Sequence, residues 1–584
     1  MEYIEKIKFI LGEDLRKAEF LVLFFILSSA IDLLGIGLIA PYIVILVDPN
    51  AFEQMVFLDE YFPSKNLKDN IVIIASIFLF LVFASKSVAG IYVNKIIINF
   101  GFIQAHRLRS ILMRKYFLMP YIDYVKGNKA DYIYNITQLT EQYSRGVLNS
   151  ILRLISEGIT LVAIIVFLFF KIGVVLLFLI ALSGLMVFAY DHFIRDKIKN
   201  YGFLSNKHST AMVKNINEDM HGLKEIRSHN KEGYFYKIFN DNSHAYADVG
   251  FRSTLLGIVP RYLVELILVT FFILIVLFYE SNINDSLPIL GVLGAACMRL
   301  IPSVSFISTG LSQIRYGRDA IDRLHYDLSV LPEIDKLTEN NLDFFRNKDS
   351  DVNYSKEGFI SLEFKNAFFS YNGKDKWLIN NLSLRIEAGD SIGIMGESGS
   401  GKTTLIDVML GLLDLSKGSV YLNGSLVNKK LNLLRERIAY LPQQGFLIDD
   451  SLKKNIAFGL PDEKICLSKV YESIKRAKID FFVKNLEQGV DTRIGESGSL
   501  LSGGLKQRVA LARAFYFDKD VFILDESTSS LDVETELEIQ KEIIELKGEK
   551  TLIIIAHRKE FLSFCNTVYK LNNGKLDLIL NESN

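Results

Sequence analysis

Runs of apolar residues crowd the first 310 positions of this 584-residue chain and thin out afterwards. Six of them, at residues 20–47, 71–98, 147–170, 172–193, 255–280 and 287–310, are long enough to cross a bilayer as helices, which takes about 20 apolar residues. A single run of this kind also fits a buried soluble helix; six in series point to a membrane domain. From Arg315 the pattern turns polar, through Leu337 to Glu357, and from Phe359 short strand-like apolar runs alternate with helical spacing. The chain is therefore expected to divide into an all-α domain with six spanning helices over 1–330, a linker over 331–358 and a soluble α/β domain over 359–584.

Lys and Arg sort the loops. Arg107, Arg109, Arg114, Lys115, Lys126 and Lys129 lie between Gly101 and Gly146, and Lys197, Lys199, Lys214, Lys224, Arg227 and Lys237 lie between Arg195 and Arg252. Positive residues stay on the cytoplasmic side, so both stretches, and with them both termini, are expected there. The turns around Lys171–Gly173 and Glu280–Leu287 are short and poor in positive charge, as outer turns are. The segment Asp48 to Asn70 falls outside; its apolar residues at helical spacing beside acidic ones fit a short interfacial helix or a solvated loop helix. Met1 to Phe20 alternates charged and apolar residues, unlike a cleavable signal peptide, so the first span is expected to remain as an anchor.

The totals change this picture little. A net charge of -1 argues against a nucleic-acid partner. Cys297, Cys466 and Cys565 lack the paired spacing of a zinc or redox site and read as free thiols in a reducing compartment.

Chemistry enters in the second half. The apolar run Ser391–Met395 ends in Gly396, Glu397, Ser398, Gly399, Ser400, Gly401, Lys402 and Thr403, and passes at Thr404 into a helical pattern. This is a phosphate-binding loop: its glycines let successive N–H groups turn towards one anion, Lys402 adds a charge for the β- and γ-phosphates, and the Thr403 hydroxyl is placed for Mg²⁺. Tyr371 precedes the loop at a distance suited to stacking on adenine, or belongs to the core. Val521 to Glu526 is an apolar strand ending in two carboxylates, of which Asp525 suits the Mg²⁺ shell and Glu526 the polarisation of an attacking water. Between them, Ser502, Gly503 and Gly504 open a helical pattern and offer a second anion site. Two phosphate-seeking loops in one domain cannot easily share one nucleotide, so the economical arrangement is a homodimer in which each loop faces the other kind across ATP.

On these motifs the sequence resembles an ATP-binding cassette transporter of the exporter type, with one membrane domain and one P-loop nucleotide-binding domain per chain. The resemblance implies Gln443 as the glutamine that senses Mg²⁺ and the membrane domain, Asp532 as a dimer contact, His557 as a γ-phosphate contact, and Glu526 as catalytic base. It also implies that Tyr121 to Asp131 and Gly222 to Lys231 are cytoplasmic coupling segments. Leu505 departs from the usual glutamine of the signature, which touches fine tuning rather than activity, since Ser502 and the glycines are kept.

Ionisable residues within spans usually face a cavity or a partner, because each costs roughly 2.5 to 3.5 kcal/mol on insertion scales. Lys86, Arg261 and Arg299 stand out, with Asp32 as acidic counterpart. They fit either snorkelling and local ion pairs or a basic cavity for an anionic substrate. Within the family, Gly35–Pro41, Val259–Glu265 and Met298–Pro302 resemble bacterial lipid-linked oligosaccharide flippases of the inner membrane. That resemblance implies a polyprenyl-pyrophosphate glycolipid cargo for protein glycosylation or a related pathway. A lipid, lipid A or drug exporter would share every nucleotide motif, and a non-transporting ATP-gated sensor would be expected to lose Glu526 or His557.

Overall fold

The computed structural model describes residues 2–47, 71–172, 174–278, 283–330, 358–371, 377–428, 431–443, 445–495, 498–525, 540–556 and 562–581. The chain forms two compact units, Met1–Met119 with Tyr124–Lys336, and Pro120–Asp123 with Leu337–Asn584. The four residues from Pro120 thus belong with the second unit although they interrupt the first.

The first unit is helical. Its principal elements are α1 (Leu15–Gly37), α2 (Ile71–Leu118), α3 (Asn149–Ile172), α4 (Val174–His221), α5 (Glu232–Phe278), α6 (Ile283–Tyr316) and α7 (Arg318–Val330). The first span is divided: α1 stops at Gly37 and Ile39–Val47 forms a second helix. Pro41 has no N–H to offer the carbonyl four residues back, which weakens the helix at that point. Among the described residues four helices are long and apolar enough to cross a membrane, Glu2–Leu46, Val72–Leu118, Lys129–Phe170 and Glu232–Phe271. Large apolar side chains on them point outward, Phe80, Ile91 and Phe170 being 71%, 70% and 81% exposed. In water that arrangement would be costly; in lipid it costs nothing.

The helices run on well past the predicted spans. α2 and α4 have 48 residues each and α5 has 47, so each is roughly 70 Å long against a hydrocarbon core of about 30 Å. The basic stretches expected as loops are largely the continuation of these helices. Hydropathy registers only the lipid-facing part; the polar remainder of α2 is held by packing around Leu108, Leu112, Leu139, Tyr143 and Ile321, all buried. Close approach is needed where α4 passes the end of α6. A Cβ on Gly202 would lie 1.9 Å from the Tyr316 carbonyl oxygen, so only glycine fits.

The second unit is α/β. Strands β1 (Ser361–Phe369), β2 (Ile379–Glu387), β4 (Lys417–Leu422) and β5 (Ser425–Leu426) form an antiparallel sheet in the order β2-β1-β4-β5. A six-stranded sheet has the order β10-β9-β3-β8-β7-β6, with β3 (Ser391–Met395), β6 (Ile438–Leu441), β7 (Val521–Asp525), β8 (Thr551–Ile555) and β9 (Thr567–Asn572) parallel, and β10 (Lys575–Asn581) antiparallel at one edge. The parallel strands β3, β7 and β8 are apolar almost throughout because both faces are covered; Ile394, Ile523 and Ile553 are fully buried. Helices α8 (Lys402–Met409) and α9 (Gly503–Tyr516) complete the elements that carry motifs.

Candidate functional site

Parallel pairing decides where the soluble motifs meet. Ile394 of β3 pairs with Ile555 of β8, Asp525 of β7 with the same Ile555, and Leu441 of β6 with Leu524 of β7. The carboxyl ends of β3, β8, β7 and β6 therefore share one edge, from which the phosphate loop, Asp525 and Gln443 emerge. Crevices at such edges are where open α/β sheets bind ligands.

The loop itself is shaped by glycine. Gly399 and Gly401 have φ of +81° and +100°, a region that side chains avoid. A Cβ on Gly396 would meet the Leu571 carbonyl oxygen at 2.8 Å and Ser400 Oγ at 2.7 Å. Lys402, only 7% exposed, donates from Nζ to the carbonyl oxygens of Gly396 at 2.9 Å and Glu397 at 3.0 Å, while Thr403 is exposed at the start of α8. Ser400 Oγ is buried with no hydrogen-bond partner among the described residues. A buried cation, an unsatisfied hydroxyl and a helix N-terminus directed at one concavity fit a polyphosphate.

Asp525 is half-buried at the end of β7 and accepts a hydrogen bond from Tyr440 Oη at 3.1 Å. Burial, with Asp525 opposite, pushes the Asp407 carboxyl of α8 up to about 6; burial and then Asp525 also push the Tyr440 hydroxyl up, so it stays a donor. Neither Asp407 nor Tyr440 was expected from sequence, although an aspartate within the apolar run Leu405–Met409 was a visible signal. Gln443 is exposed. Tyr371 is half-buried and meets Phe369 edge-on, 5.1 Å between centroids, so the ring belongs partly to the core. Glu526, Asp532, His557 and the external segment 48–70 lie outside the described residues.

At the second anion loop, Ser502 caps α9, its Oγ accepting from the Leu505 N–H at 3.4 Å. Gly503 is exposed and Gly504 buried. Leu505 packs against the apolar core of residues such as Val509 and Leu501, which accounts for an apolar residue at this position.

In the membrane unit a cavity of about 310 Å³ lies among α1, α2, α3 and α6, and Lys86 and Arg299 both line it. Arg261 does not; it is exposed on α5, beside the Tyr262 ring at 5.9 Å. The cavity also holds two carboxylates, so the local ion pairs kept as one reading of these cations are present at Lys86 and Arg299. Asp32, 5% exposed, accepts from Arg299 Nε at 3.0 Å and meets Lys86 Nζ at 3.4 Å. Glu157 meets Arg299 Nη1 at 3.1 Å and accepts from Ser303 Oγ at 2.7 Å. Arg153, one turn before Glu157, stands over the Phe306 ring at 5.3 Å. Arg153 and Glu157 escaped the sequence reading, although two charges four residues apart in an apolar run were the available signal.

Comparison with known proteins agrees with this geometry. Residues 379–529 match the ABC transporter family, and the second unit is an ATPase domain of that kind. The chain is 35% identical over 282 residues to an ATP-dependent lipid A-core flippase of Haemophilus influenzae, covering 48% of this chain but 45% of that protein. Against the protein of the same description from Saccharophagus degradans it is 29% identical over 484 residues, with 80% and 77% covered. The fold is that of a bacterial Atm1-family ABC exporter solved with ATP bound, with a TM-score of 0.75, 20% identity, and 98% of this chain and 95% of that one superposed.

Proposed function

Taking the chain as one half of an ATP-binding cassette exporter, we propose that two copies form an ATP-driven translocase for a lipid with a phosphorylated headgroup in the bacterial inner membrane. The observation that carries this is the polar cavity within the spanning helices, lined by Lys86, Arg153 and Arg299, in a chain that also holds a formed phosphate loop. Cations are kept at such depth for an anionic ligand or a partner. The names of the relatives, lipid A-core flippases, favour a phosphorylated glycolipid of the lipid A type.

In this reading Gly396, Glu397, Ser398, Gly399, Ser400, Gly401, Lys402, Thr403 and Thr404 hold the triphosphate, and Tyr371 takes the adenine. Thr403, Gln443 and Asp525 would hold Mg²⁺, which when bound screens the charge between phosphates. Glu526 orients the water, His557 reaches the γ-phosphate, and Ser502, Gly503, Gly504 and Asp532 act across the dimer seam. A polyprenyl-pyrophosphate oligosaccharide is the second reading, favoured by the same cations.

The test is reconstitution of the purified protein in liposomes. ATP-dependent flipping of a diphosphorylated lipid A should exceed that of its dephosphorylated counterpart, and the K402A and S502A variants should abolish it. Equal transport of both lipids would sink the headgroup reading. Accumulation of lipid-linked oligosaccharide, with unchanged lipid A distribution, in cells lacking the protein would favour the second reading.

A further inference from the structure

The cavity just described holds three cations against two carboxylates, and those carboxylates lie on the cations that the cargo needs. We propose that Asp32 and Glu157 are resident counter-ions, which hold Arg299 while the cavity is empty and are exchanged for the phosphate of the cargo. The inference rests on the reading of this cavity as a headgroup site and concerns what sets its affinity and selectivity.

Arg299 is the shared member. Its Nε and Nη2 both lie 3.0 Å from Asp32 Oδ2, and its Nη1 lies 3.1 Å from Glu157 Oε2. A planar guanidinium presents paired donors that suit a phosphate as well as a carboxylate, so one ligand can replace the other on the same donors. Each carboxylate keeps a partner after the exchange. Asp32 retains Lys86 Nζ at 3.4 Å, and Glu157 retains the Ser303 hydroxyl at 2.7 Å. Neither is left buried and unpaired, the condition that makes breaking an internal ion pair costly.

Two consequences follow from the charge. With the counter-ions in place, the empty cavity carries a formal excess of one positive charge rather than three, which lowers the cost of holding cations within the bilayer. A neutral amphiphile gains nothing by entering, because it cannot take Arg299 from its carboxylates. A phosphate monoester, with about -1.5 to -2 charge at pH 7, can. The carboxylates thus act as a threshold against uncharged lipids, a form of selection against the wrong ligand.

The experiment is equilibrium binding to the full-length protein in nanodiscs, by native mass spectrometry, with diphosphorylated lipid A and its dephosphorylated counterpart as probes. D32N and E157Q each keep side-chain shape while removing a charge. Each should bind the phosphorylated lipid about fivefold tighter or more, within the usual range of coupling between sites, and the dephosphorylated lipid unchanged. Unchanged or weaker binding of the phosphorylated lipid by both variants, in protein that melts as wild type does, would overturn the proposal. If D32N does not fold, E157Q alone decides it in the same way. Failure of the underlying reading looks different: the wild-type protein would then bind both lipids equally, and R299A would leave both affinities unchanged.

Discussion

Loss of Glu542 should destabilise the nucleotide unit more than any surface change, and the magnitude follows from burial. Glu542 and Arg508 are 5% and 7% exposed, and Arg508 Nη1 lies 2.5 Å from Glu542 Oε1. The same Nη1 also donates to the Ala477 carbonyl at 3.3 Å. In E542A a guanidinium remains in the core with its carboxylate removed, a change that costs about 3 to 5 kcal/mol. For a unit of this size each kcal/mol moves the midpoint by about 2 to 4 °C, so the shift should be roughly 6 to 20 °C. The sole tryptophan, Trp377, lies in this unit beside Phe368, 5.3 Å between ring centroids, and its fluorescence reports the transition in the solubilised full chain. The double variant R508M/E542L replaces the pair by apolar groups and should recover most of the loss. A single variant within about 2 °C of wild type, or a double variant no better than the single, would refute the argument. The position matters functionally because Arg508 is on α9, less than two turns beyond the Ser502 cap.

Three further outcomes are expected. G202A should fail to give a monodisperse peak in size-exclusion chromatography, since its Cβ meets the Tyr316 carbonyl, a backbone atom that cannot rotate away. Y440F removes the donor to Asp525 and should raise the Mg²⁺ concentration for half-maximal ATPase about two- to tenfold, the worth of one hydrogen bond, with weaker Mn²⁺ binding by electron paramagnetic resonance as the second readout. Asp327 of α7 has its pKa raised above the usual 3.8, first by burial, against the hydrogen bonds from Tyr116 and Asn135; Asp131 raises it further and Arg323 opposes. The folded chain then holds this proton to higher pH than the unfolded chain. Its contribution to stability is full below pH 3.8 and is lost as pH rises through the raised value. D327N should flatten that slope in thermal melts across acidic pH, and an unchanged slope would count against the assignment.

Contiguity separates what was legible in the sequence from what was not. The phosphate loop is a local motif: the consecutive residues Ser391 to Thr404 prescribe a strand, a turn and a helix, and the structure has them in that order. Four of the spans were legible for the same reason, since lipid imposes one composition on a continuous stretch. Their lengths were not, because α2, α4 and α5 continue as helices into polar stretches that hydropathy does not register. Charge pairing was the least legible feature. Asp32 and Arg299 are 267 positions apart, so an acidic counterpart could be named from the sequence but not paired with its cation. The two residues that neutralise it were each visible, but only the fold shows that they share a guanidinium. Arg261 was grouped with these cations by composition and is separated from them by the outward face of α5.

The unbroken course of α4 from Val174 to His221 has a mechanical meaning. A hinge would let the lipid-embedded end stay still while the distal end moved; a continuous helix instead transmits displacement along its length. At Gly202 the backbone of α4 bears directly on the Tyr316 carbonyl with no side chain between, so displacement of α4 there is passed to the end of α6 without a cushion.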